Sequence, residues 1–168
     1  MAIDELLDDE ALNPKELFDE KKFITLLINR DGYSKKQNET ADFIDRLLEK
    51  EINREEQEEI FKNIKATNAG EMLIESIRNT RSKTDKAKLL AAIWESGVDV
   101  SRHFIYLTEL ACENDFLTAM EALTIIQNME EKIEEKTLAS AIQIAQDCKS
   151  QNKELIEDLI NCIKEKAE

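Results

Sequence analysis

The residues from which a catalytic or metal site could be assembled are few: His103, the cysteines Cys112, Cys148 and Cys162, and the glycines Gly32, Gly70 and Gly97. Phosphate-cradling loops need clustered glycines whose N–H groups converge on an anion, so isolated glycines exclude P-loop and dinucleotide fingerprints. A carboxylate-bridged di-iron bundle needs paired Glu-x-x-His motifs, and Val100 stands three residues before His103. His103 and Cys112 are nine residues apart on one expected helix. That is about 900° of rotation, which puts them on opposite faces and removes both a zinc pair and a Cys–His nucleophile. The cysteines are odd in number and form no C-x-x-C, so neither a disulfide framework nor a zinc knuckle is expected. Cys148 ends one helix and Cys162 lies ~15 Å along the next, too far apart to bond within a simple hairpin. All three read as small apolar packing residues, with Cys112 or Cys148 the more accessible thiol. Glu130-Glu131 and Glu134-Glu135 could hold a cation, but beside Lys132 and Lys136 they read as a solvated turn. No catalysis, cofactor or metal is expected.

Stepping outward, 168 residues with 42% hydrophobic content make one domain with a full core, and three Gly with one Pro argue against an all-β fold. The formal charge of −14 repels phosphate backbones, so nucleic acid is not an expected partner. No apolar run approaches the ~20 residues of a membrane span, and the acidic start MAIDELLDDEALNP does not resemble a signal peptide. A reducing cytoplasm fits the cysteine usage.

Helices follow from caps and stripes. Residues 1–12 are an acidic segment able to fray, and Asn13-Pro14 opens a helix to about Arg30. Asp31-Gly32 is a turn, Ser34 to Gln37 a capping box, and Asn53 with Glu56 a second one. A break at Asn68-Ala69-Gly70 precedes a short helix. Gly97 is placed to cap the helix through Trp94, Asp99 or Ser101 starts the next, and Asn114 or Asp115 the one after. Phe116, Met120, Leu123 and Ile126 on one side of that helix, with Leu117, Ile125 and Met129 on another, predict burial between neighbours. Residues 134–149 form a further helix. The last, 152–166, carries the single stripe Leu155, Ile156, Leu159, Ile160 and Ile163, as a terminal cap should. Trp94 reads as core, with an interface anchor as the other reading.

An internal repeat runs through the middle. At an offset of 33, Ser82 falls on Asp115, Leu90 on Leu123 and Ile93 on Ile126; at 34, Phe104 meets Leu138, Leu107 meets Ala141 and Ala111 meets Ala145. The polar set Arg102, Tyr106, Glu109 and Glu113 falls on Lys136, Ser140, Gln143 and Asp147 with the same helical spacing. Two helices per ~33 residues, two-sided in the middle and one-sided at the ends, are what stacked hairpins require. The pattern resembles the HEAT/armadillo class of α-solenoid over residues 82–148, and more weakly over 34–80. The proline that many HEAT repeats carry in their first helix is absent, and no tetratricopeptide signature is present.

The resemblance implies a short right-handed superhelix of antiparallel helix hairpins; an irregular multi-helix bundle is the alternative. It also implies an adaptor, monomeric or weakly dimeric, that binds another protein along the groove carrying the two polar sets. The net charge supports a different reading, an acidic inhibitor or immunity-type protein that masks a basic surface. One charge reversal, Arg78, Arg81, Lys83, Lys86 and Lys88, could dock an acidic segment or pair with carboxylates nearby.

Overall fold

The structure is a computed structural model, and it describes residues 30–168. The acidic segment 1–12 and the helix expected from Asn13-Pro14 lie outside the described residues.

Within them the chain is all-α. Eight helices follow one another: α1 (Lys35–Leu47), α2 (Arg54–Ala66), α3 (Gly70–Asn79), α4 (Lys83–Ser96), α5 (Phe104–Ala111), α6 (Phe116–Asn128), α7 (Glu135–Asp147) and α8 (Lys153–Glu165), with a 3₁₀ turn, Ser101–His103, leading into α5. Side chains that satisfy orphan N–H groups set four of the eight starts. Ser34 and Gln37 form a reciprocal box at α1, as do Asn53 and Glu56 at α2. Ser82 accepts from Asp85 N at α4, and Asp115 takes both the N–H (3.1 Å) and the hydroxyl (2.7 Å) of Thr118 at α6. α2 stops where Asn68 enters the left-handed region at φ 51°, and α4 where Gly97 does so at φ 63°. Asp99 Oδ1 accepts from Ser101 N at 2.8 Å, which nucleates the 3₁₀ turn, so α5 proper begins later than the sequence suggests.

One apolar cluster extends from Ala41 to Ile163, with Phe104, Leu73, Leu90 and Ile126 among its fully buried side chains. α2 packs on α4, α4 on α6 and α6 on α8, while α5 packs on α7; α3 lies against α4, α5 against α6 and α7 against α8. The most extensive pairings are α5 with α6 and α4 with α6, followed by α7 with α8. The sequence unit 82–113, which falls on 115–147, contains α4 and α5, and those two helices are separated by the stretch 97–103. A translational repeat can be cut at either loop, so the sequence match alone cannot fix which helices face each other.

Two packing expectations are overturned. Trp94 is 39% exposed rather than core. The first turn of α6 is also open, with Phe116 at 56%, Leu117 at 49% and Met120 at 45% exposure. α4, α5 and α8 cover the arc of α6 carrying Ala119, Ala122, Leu123, Ile125 and Ile126, while Phe116, Leu117 and Met120 lie on the exposed arc. α8 matches its expected single stripe: Leu155, Ile156, Leu159 and Ile163 are buried, and Glu154, Glu157, Asp158, Asn161 and Lys164 exposed.

Candidate functional site

Of the polar positions that correspond in the repeat, Tyr106 and Glu109 lie on α5, with Arg102 in the 3₁₀ turn before it and Glu113 just past its end, and Lys136, Ser140, Gln143 and Asp147 lie on its packed neighbour α7; the buried faces also correspond, Phe104, Leu107 and Ala111 on α5 with Leu138, Ala141 and Ala145 on α7. Arg102 lies 3.9 Å from Glu71 Oε1 on α3, and the Arg78 guanidinium stacks 4.6 Å above the Tyr106 ring. Burial pushes the Tyr106 phenol up despite that cation. Glu113 meets Lys86 at 3.5 Å, and Gln143 donates to Asp147 at 2.8 Å. Glu109, Lys136 and Ser140 are exposed. Five of the eight positions are thus engaged within the chain: Arg102 and Tyr106 with α3, Glu113 with α4, and Gln143 with Asp147.

The basic stretch divides in the same way. Arg78 covers Tyr106, Lys86 pairs with Glu113 and Lys83 lies 3.9 Å from Asp115, while Arg81 is exposed. Lys83 and Lys86 tie α4 to the α5–α6 connection, and Arg78 ties α3 to α5. The acidic pairs Glu130-Glu131 and Glu134-Glu135 are exposed as a solvated turn should be.

His103 Nε2 donates to Glu71 Oε2 at 2.9 Å, at the opposite end of α5 from Cys112. Among the described residues no group of three or more His, Cys, Asp or Glu converges as metal ligands would, and no helix is long and apolar enough to cross a membrane. A pocket of about 450 Å³ between α1 and α3 is lined by Tyr33, Gln37, Thr67, Glu71 and Glu75, without a nucleophile and base in contact.

What sequence reasoning missed is the exposed apolar group on α6, Phe116, Leu117 and Met120. Phe116 and Met120 are one turn apart, and Leu117 lies one turn before Glu121, whose Oε2 accepts from Trp94 Nε1 at 2.8 Å. Glu95 stands beside them, its carboxyl raised by burial and by the Glu121 charge. A shallow pocket of about 170 Å³ opens next to Trp94, lined also by Lys65, Asn128, Glu130 and Glu131. A signal was present: Glu121, Thr124, Gln127 and Asn128 mark one arc of α6 as solvent-facing, and the three apolar side chains fall on that same arc. Large apolar side chains grouped on a solvent face mark an interaction site more often than isolated ones do. No protein-family model, curated protein or solved structure matches this chain.

Proposed function

We propose that this chain is a non-catalytic helical-repeat adaptor that binds another protein. The exposed set Phe116, Leu117 and Met120, with Trp94 beside it, carries the reading: in a chain of net charge −14, three large apolar residues on one helical turn have no partner within the described residues. The repeat reading is supported by the succession α2 on α4 on α6 on α8 with α5 on α7, the order that stacked hairpins produce. The polar surface of α5 and α7 is the second face available to a partner, through Glu109, Lys136 and Ser140.

The test is affinity capture from native cytosol with wild type and with a Phe116→Asp, Met120→Asp double variant, washed at low salt and at ~0.5 M salt. A stoichiometric partner that survives high salt with wild type and is lost with the variant, at unchanged melting temperature, is the expected result. Equal capture by both proteins refutes the assignment of this face.

The charge favours a second reading, an acidic inhibitor of a basic partner. It predicts fast association at low salt that weakens steeply as salt rises, and indifference to the Phe116 and Met120 substitutions.

A further inference from the structure

Cys112 and Cys148 occupy equivalent places, the C-terminal caps of the packed helices α5 and α7, and the packing brings their thiols together. Cys148 Sγ donates to the Cys112 carbonyl oxygen at 3.5 Å, and the Cys148 side chain is close enough to Cys112 to raise its thiol. The turns that carry them are already docked: Ser150 Oγ and Asn152 Nδ2 each donate to Glu113 O at 3.4 Å, and Gln151 N donates to Asn114 Oδ1 at 3.1 Å. Both cysteines are half-buried, whereas Cys162 is buried within α8 with Lys166 and Glu165 as its charged neighbours.

We propose that Cys112 and Cys148 form a redox pair, oxidised by a peroxide to an intramolecular disulfide that joins the α5–α6 connection to the α7–α8 connection and reduced again by thiols. In the first step the Cys148 sulfur, as thiolate, attacks one peroxide oxygen. The O–O bond breaks, hydroxide leaves and takes up a proton to become water, and Cys148 becomes a sulfenic acid. In the second step the Cys112 sulfur attacks the sulfenic sulfur. The S–S bond forms, the S–O bond breaks, and the hydroxyl leaves as water with the Cys112 proton. Two thiols lose two electrons and two protons to one peroxide, giving a disulfide and two waters.

The first attack falls to Cys148 on geometry: Ser150 N lies 3.3 Å from Cys148 Sγ and aims at it a donor that favours a thiolate there. Cys112, whose thiol is pushed up by burial, the Cys148 neighbour and Glu109, supplies the resolving sulfur. Glu113 and Asp147 adjoin the two cysteines in sequence, so the bond would fix the spacing between the ends of the two polar sets. The pairing does not depend on that surface, or on the α6 face, binding anything.

The experiment uses the full chain, treated with a modest excess of hydrogen peroxide, denatured, alkylated and mapped by mass spectrometry. The expected result is a chain lighter by two hydrogens, alkylated only at Cys162, with a Cys112–Cys148 linked peptide that dithiothreitol abolishes. The melting temperature should rise by about 5–10 °C on oxidation and return on reduction. Cys162→Ser should still form the bond, and Cys148→Ser should not. Three alkylated cysteines, a bridge through Cys162, a sulfinic acid without a bridge, or dimers between chains would each overturn the proposal; the wild-type map decides even if a variant does not fold.

Discussion

At the scale of single residues, Asp45 shows burial and pairing in opposition. Its carboxylate lies 2.6 Å from Arg30 Nη2, yet burial outweighs that cation and, with Asp42 nearby, pushes the group from 3.8 up to about 6. Between those values the folded chain holds a proton that the unfolded chain has released. The stabilising contribution is therefore present below about 4 and is lost as pH rises through about 6. Denaturant midpoints for wild type and Asp45→Asn should diverge across that window, the variant gaining relative to wild type as pH rises. A constant difference would mean that Arg30 keeps Asp45 ionised throughout. Glu113 shows the other use of a charge. Its contact with Lys86 couples it to stability, so of the two stripe acids only Glu109 can be reversed as a test of the α5–α7 surface. Glu109→Lys should leave the melting temperature within about 2 °C while weakening any partner held there.

At the scale of elements, the breaks between helices depend on two glycines for different reasons. Gly97 ends α4 in the left-handed region at φ 63°, with only Lys65 Nζ near the place of a Cβ, so Gly97→Ala should cost about 1 kcal/mol from backbone strain. Gly70, the first residue of α3, has ordinary φ, but a Cβ there would sit 2.6 Å from the backbone oxygen of Asp99 and 3.0 Å from a Val100 methyl. Neither the α3 start nor the 97–103 stretch can give way cheaply, and Gly70→Ala should cost about 2–3 kcal/mol. Urea unfolding of both variants checks the order. If Gly97→Ala is the worse of the two, α3 and the 97–103 stretch are not held in contact. The same contact accounts for the long α4–α5 connection: residues 97–103 run across the start of α3 before α5 can begin.

At the scale of the whole molecule, contacts pass from each helix to its near neighbours. α1 packs mainly on α2, α2 reaches α4, and α8 rests on α5, α6 and α7. In a stacked array, damage at one end stays local, whereas in a closed bundle it spreads. Leu159→Ala, removing a fully buried side chain from α8, should lower amide hydrogen-exchange protection in α6, α7 and α8 and leave α1 and α2 as in wild type. Uniform loss of protection would favour the irregular bundle. Lys166 Nζ, donating to Met129 O at 2.7 Å, fastens the end of α8 to the α6–α7 connection and should lose its effect in the same variant.

The amino-acid order alone determined which segments are helical and where most of them begin and end, because caps and turn residues act over three or four positions. Ser34 with Gln37, Asn53 with Glu56, Asp115, the Asn68 break and Gly97 all do in the structure what their spacing predicts. The same local periodicity exposed the correspondence between α4 and α6 and between α5 and α7. Only the tertiary structure decided which arc of each helix has a neighbour, since apolar periodicity records that a face is greasy and not whether anything covers it. Phe116, Leu117, Met120 and Trp94 have the periodicity of core residues, yet they are exposed. Cys112 and Cys148, 36 residues apart in the chain, meet only because α5 and α7 pack side by side and end together, a proximity that no spacing along one helix could reveal.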